Sequence, residues 1–297
     1  MALKIGIIGS INIDFVTVAK HAPKAGESVM GDSFTTVFGG KGANLAVAAS
    51  RLGGNVALIG AVGDDALGIN ALNNLAANNV DVSAVQRLMG QATGTASITV
   101  TTGNNQIIVV PGANAGVTDA YVSTFEGKLR ECAMLSTQLE IDPSAVLWLS
   151  RFAKQNDIKF IFNPSPMIEY NSEIFENADL VIVNEIEIAK IQADSKISSV
   201  KALLYKYPNK LILTMGAGGV KYCDGIKVIH VPAVDVKVID TTGAGDTFMG
   251  ALMVRLCEGA TLEQSIKFAN TAAALKCTKL GAQTGMPLRN EVDSHKV

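Results

Sequence analysis

Short, nearly unbroken apolar runs recur along the chain, most of them closing on glycine, asparagine, proline or glutamate. They are KIGIIG from Lys4, NVALIGAVG from Asn55, AMLSTQL from Ala133, IKFIFNP from Ile158, DLVIVNE from Asp179 and KLILTMG from Lys210. Such runs suit parallel strands buried on both faces, whose carboxyl ends carry function. Between several of them the apolar positions switch to helical spacing, in ANLAVAASRLG, ALGINALNNLAANN, PSAVLWLSRFAKQN and EIEIAKIQA. This alternation predicts an α/β fold, a doubly wound and mostly parallel sheet flanked by helices. Two stretches break it, FVTVAKHAPKAGESVMGDSFTTVF and GTASITVTTGNNQIIVV. Both are rich in β-branched residues and glycine turns, and they predict a small accessory sheet drawn from about 15–38 and 93–110. No internal repeat or low-complexity tract divides the chain, so a single domain over 1–297 carrying this appendage is expected.

Composition removes several classes of function. Hydrophobic residues make up 48% and charged ones 18%, with a net charge of -2, so no positive surplus points to nucleic acid or an anionic membrane. The longest charge-free run, Leu88 to Thr118, is interrupted by Gln, Asn, Gly, Thr and Pro and cannot span a bilayer. The start MALKIGIIGS has no basic region followed by a longer apolar run, and a cytoplasmic protein is expected. Cys132, Cys223, Cys257 and Cys277 show no C-x-x-C spacing and read as reduced thiols. His21, His230 and His295 lie far apart, which leaves no metal cluster and little material for Ser-His or Cys-His catalysis. There is no G-x-x-x-x-G-K-[ST], and no G-x-G-x-x-G follows the first strand, so a nucleotide must be held in another way.

Four constellations carry chemistry. In GSINIDF, a period of two puts Ser10, Asn12 and Asp14 on one side and Ile11, Ile13 and Phe15 on the other. Those short polar groups suit a hydroxyl-rich ligand, although a half-exposed strand has the same pattern. In FGGKGANLAVAASRLG, Gly39, Gly40 and Gly42 precede an alanine-rich helix, where bare amides, the Lys41 ammonium and the Asn44 amide could meet a polyol or a phosphate oxygen. A flexible turn into a packed helix is the alternative. VNEIE sets Asn184 and Glu187 at one strand end, and LTMGAGGV sets Gly216, Gly218 and Gly219 at another. These also read as a solvated helix start and a strand-to-strand turn. The fourth is VIDTTGAGDTFMG, in which Gly243, Ala244 and Gly245 precede Asp246 at the opening of a helical run. Phosphoryl transfer needs donors for the moving oxygens and an acceptor for the attacking hydroxyl's proton. Amides around Ala244 and Gly245 would supply the first and the Asp246 carboxylate the second. A plain helix cap by Asp246 is the competing reading.

DTTGAGDTFMGAL, GGKGANLAVAASRLG and GSINID together resemble the signatures of the ribokinase branch of the sugar kinase family that also includes fructokinases and adenosine kinase. The similarity runs from about Lys4 to Pro287. It implies a β lid that closes on a sugar and forms a homodimer contact, with sugar and ATP as the small-molecule partners and Mg2+ and K+ as cofactors. It implies ATP-dependent phosphorylation of D-ribose at the 5-hydroxyl; deoxyribose or another furanose is the neighbouring possibility, and a catalytically silent sugar- or nucleoside-binding regulator is a different class. By position, Asn12, Asp14, Gly40, Lys41, Asn44 and Glu140 would contact the sugar, and Asp246 would take the proton. Asn184, Thr214, Gly216, Gly219, Gly245 and Asn270 would meet ATP, with Glu187 near magnesium and the phosphates. Asp240, Thr242, Lys276, Lys279, Gly281 and Gly285 would form a potassium loop, largely through carbonyls, and raise activity by ordering the neighbouring anion turn. Two departures stand out: Gly285 replaces a frequent serine, and MGAGG lacks a charged residue frequent in the nucleotide loop.

Overall fold

In the computed structural model, which describes residues 3–102 and 104–295, all six predicted strands lie in one sheet. Its members are β1 (Lys4–Ile8), β4 (Asn55–Gly63), β5 (Asp81–Leu88), β8 (Cys132–Thr137), β9 (Lys159–Phe162), β10 (Leu180–Val183), β11 (Leu211–Thr214), β12 (Val220–Cys223) and β13 (Val228–Val231). Their order is β13-β12-β11-β10-β9-β8-β1-β4-β5. Pairing is parallel from β11 to β5, and only β12 runs against the rest, pairing antiparallel with both β11 and β13.

Strand alternation feeds two cores from one sheet. Leu180 and Ile182 of β10 join the first core together with Ile5 and Ile7, while Val181 and Val183 join the second with Ile8. The helices are α1 (Lys41–Arg51), α2 (Ala66–Ala77), α3 (Asp119–Ser123), α4 (Glu126–Arg130), α5 (Pro143–Gln155), α6 (Ser172–Asn177), α7 (Glu185–Ser195), α8 (Val200–Lys206), α9 (Ala244–Cys257), α10 (Leu262–Cys277), α11 (Ala282–Gly285) and α12 (Arg289–Ser294). Buried residues of α1, α2, α9, α10 and α12 line the first core, and those of α3 to α8 line the second, so both faces are covered as predicted.

The two irregular stretches form a separate sheet of order β3-β2-β6-β7, from β2 (Asn12–Ala19), β3 (Gly31–Gly39), β6 (Gly94–Thr101) and β7 (Asn104–Val110). The expected range 93–110 contains Gly103, which lies outside the described residues. GSINIDF is not one strand: β1 ends at Ile8, the chain leaves the main sheet through Gly9 to Ile11, and β2 begins at Asn12. Ser10 therefore does not share a strand face with Asn12 and Asp14, and Ile11, Ile13, Ser10 and Asn12 are all buried. Register places Asn12 opposite both Gly39 and Gly94, at the root of the small sheet.

Candidate active site

Helix α1 is aimed at this junction by Gly40, its N-cap, whose φ of 85° is readily adopted only by glycine. A Cβ there would fall 2.7 Å from the Asn12 nitrogen and the Ser10 carbonyl oxygen. The amides of this turn are not bare, contrary to the sequence expectation. The Lys41 N–H donates to the Glu140 carboxylate (3.1 Å), Gly42 to the Ser10 hydroxyl (3.4 Å) and Ala43 to the Ser10 carbonyl (2.9 Å), while the Ser10 hydroxyl donates to Glu140 (2.5 Å). Glu140 thus binds the helix terminus as well as facing the site. Asn12 is held by a residue the sequence reading missed: the Asn114 amide donates to the Asn12 Oδ1 (2.7 Å), and its oxygen accepts from the Ile11 N–H (2.9 Å).

Opposite lies the first turn of α9. The helix begins at Ala244, not at Asp246, and its N-cap is Gly243 in the left-handed region (φ 78°) with no side-chain cap. Asp246 is therefore not a helix cap. Its buried carboxylate accepts from the Asn44 amide (2.9 Å), and the Asn44 oxygen accepts from Gln283 (3.0 Å), which in turn accepts from Asn74 (2.6 Å). The Ala244 N–H is engaged by the Thr241 carbonyl (3.1 Å), which corrects its expected role as a donor to ligand. The amides of Gly245 and Asp246 have no acceptor among the described residues, and a Cβ on Gly245 would meet only open space. Helix-terminal donors facing an open volume suit a phosphate group.

Charges converge between these turns. Burial drives the Asp246 carboxyl up, opposed by the Lys41 ammonium and the Asn44 hydrogen bond, and its pKa ends above the ordinary carboxylate value. Burial, then the carboxylates of Glu140 and Asp246, push Asp14 up to about 6. Burial disfavours the Lys41 ammonium, but Asp246, Glu140 and Glu187 more than compensate, and its pKa is raised. A group with a raised pKa facing a desolvated cation is suited to proton acceptance.

On the third side, Asn184 and Glu187 form a capping box on α7. Asn184 accepts from the Ile186 and Glu187 amides, and Glu187 accepts from the Asn184 amide (2.9 Å) and from Asn163 (3.4 Å). Glu187 is buried, so it is not a solvated helix start. A cleft of about 210 Å3 brings together Lys41, Asn184, Glu187, Thr214, Gly243, Gly245 and Asp246, with Asn163 and Ser165 as lining residues not singled out from sequence. Thr214 donates to the Val183 carbonyl (3.1 Å). Gly216 and Gly219 occupy the turn between β11 and β12, outside that lining. Asn270 is also outside it and donates to the Pro232 carbonyl (3.0 Å).

The expected potassium loop is assembled, but not as an open carbonyl cage. The Asp240 carboxylate accepts from the Thr242 N–H (2.9 Å) and hydroxyl (2.6 Å) and from the Gly281 N–H (2.8 Å). Lys276 was expected to serve through its carbonyl; its ammonium also enters the loop and donates to the Asp240 carbonyl (2.7 Å). Lys279 turns its ammonium outward to Glu291 (2.7 Å). Among the described residues, no cluster of three His, Cys, Asp or Glu side chains could hold a metal, and no helix is long and apolar enough to cross a membrane.

The profile described as pfkB family carbohydrate kinase matches residues 2–289. The chain is 43% identical to the ribokinase of Bacillus subtilis, over 97% of each chain. Among solved structures it resembles Thermotoga maritima ribokinase with a TM-score of 0.91 and 32% identity over 98% of each chain. It also resembles Arabidopsis thaliana ribokinase complexed with ribose and ATP, with a TM-score of 0.89 and 28% identity over 98% of each chain.

Proposed function

The chain belongs to the pfkB family of carbohydrate kinases, and from that premise we propose that it transfers the terminal phosphoryl group of ATP to the 5-hydroxyl of D-ribose. The observation that carries the reading is the opposed pair in α9: a buried, Asn44-oriented carboxylate at Asp246, in the same first turn as unpaired amides at Gly245 and Asp246 itself. The carboxylate accepts the hydroxyl proton while the amides hold the phosphoryl oxygens. Asn12, Asp14, Lys41 and Asn44 supply the polar groups for the sugar, and Asn184, Thr214 and the β11–β12 turn receive the nucleotide. Magnesium fits the acidic wall at Glu187, held chiefly by phosphates and water; it would neutralise charge developing on the phosphoryl oxygens. A panel of sugars assayed for ATP consumption tests the reading, and silence with every sugar would leave a binding regulator in its place.

The small sheet is read as a lid that excludes water on closing. The face opposite Asn12 and Asp14 exposes Phe34, Val110 and Ile108, the last 70% exposed, and this apolar face supports a homodimer through the lid. The four cysteines are free, in keeping with a cytoplasmic protein.

Two outcomes follow from the site's polar partners. A protonated Asp14 loses the charge that strengthens its acceptance from a sugar hydroxyl and turns one of its oxygens into a donor. Because its pKa is raised to about 6, affinity is full above that pH and declines as pH falls through it, with KM for ribose rising roughly tenfold per unit below. KM measured across the acid limb checks this, and a flat profile removes Asp14 from the sugar's contacts. Gln283→Leu removes the donor that fixes Asn44 and is expected to lower kcat about tenfold with little change in the KM for ATP. Steady-state kinetics of the folded variant decide the matter; a pure KM effect contradicts a positioning role.

A further inference from the structure

We propose that the side-chain ammonium of Lys276 stands where a monovalent cation would, so that this chain carries its own cation and needs no potassium. The inference rests on the kinase reading for its consequence in rate. The Lys276 side chain is 0% exposed, and its ammonium lies 2.7 Å from the Asp240 carbonyl oxygen and 3.7 Å from the Asp240 carboxylate. These are the oxygens a cation in this loop would seek. A second positive charge set beside a buried ammonium would face strong repulsion, with a single carboxylate between the two.

Position 285 provides the complementary half. A Cβ built on Gly285 would lie 3.2 Å from the Lys276 Cε and 3.1 Å from the Lys279 carbonyl oxygen. The space a serine side chain would use for an oxygen ligand is bordered by the lysine stem, so Lys276 and Gly285 make sense as a pair. Burial lowers the ammonium's pKa, and the Asp240 carboxylate pulls against that shift. The connection to chemistry is short. Asp240 leads through Thr241 and Thr242 to Gly243, and the Thr241 carbonyl holds the Ala244 N–H at 3.1 Å. Fixing Asp240 from α10 therefore fixes the turn that leaves the Gly245 and Asp246 amides free.

The test compares potassium chloride with tetramethylammonium chloride at equal ionic strength, reading both ribose kinetics and melting temperature. The wild-type protein is expected to give kcat/KM values within about twofold of each other and the same melting temperature in both salts. Lys276→Ala is expected to lose roughly tenfold or more in kcat/KM in tetramethylammonium, and to regain rate and melting temperature in potassium or methylammonium chloride. Lys276→Met, which fills the space without charge, should lose rate and regain none. A several-fold rise of wild-type rate or a rise of its melting temperature with potassium overturns the proposal, as does a folded Lys276→Ala indifferent to its cation. If Lys276→Ala is insoluble, the wild-type comparison decides. If no sugar is phosphorylated in either salt, the kinase reading fails, and the melting temperatures still test the replacement.

Discussion

Asp246→Asn is expected to lower kcat by roughly 10²–10⁴ while ribose binding and folding are retained. The substitution keeps the shape of the side chain and an oxygen to accept from Asn44, so the chain of amides from Asn74 through Gln283 and Asn44 stays connected. It also removes a carboxylate whose ionisation burial already disfavours, so the melting temperature should hold or rise. What it deletes is proton acceptance. Single-turnover measurements with saturating ribose, ATP and magnesium separate this loss from binding, and near wild-type turnover would rule out Asp246 as the base.

The second large effect is discrimination against a missing hydroxyl. Asn12 is locked by Asn114 and cannot readily reorient when a sugar atom is absent, and Asp14, two residues further along β2, is buried beside the carboxylates of Glu140 and Asp246. Each polar group left unpaired under a closed lid costs about 1–3 kcal/mol. 2-Deoxyribose is therefore expected to lose roughly tenfold to a hundredfold in kcat/KM against ribose. Hexoses should do worse for another reason: a bulkier body holds the small sheet open and leaves the phosphate turn wet. Measuring kcat/KM for ribose, 2-deoxyribose and fructose under saturating ATP and magnesium decides it. If deoxyribose or fructose equals ribose, the ribose assignment fails and the sugar kinase assignment survives.

Strands buried on both faces were legible because they must be apolar at every position, as LVIV in β10 is. The edge strands β5 and β13, and β12 beside the second of them, were not. DVSAVQRL in β5 mixes charge into its alternation, and VKYC and VIHV in β12 and β13 are only four residues long. At the site, glycines and charges on the two signature turns stood out because few other roles require them. Asn74, Asn114, Asn163 and Gln283 did not, since an amide that orients a buried partner has the same spelling as one facing water. Nor did the place of the Lys276 ammonium, because a carbonyl role is blind to side-chain identity.

The bond between Asn44 and Asp246 joins residues 202 positions apart, and the one between Gln283 and Asn44 spans 239. Order of synthesis then acquires a meaning. Asn44 leaves the ribosome early and must wait, with its carboxylate partner unmade, until most of the polypeptide has emerged. Contacts of such long range are formed late and at a cost in loop closure. A nascent or prematurely ended chain that stops short of α9 lacks the Asp246 carboxylate altogether and, with it, the proposed base for phosphoryl transfer.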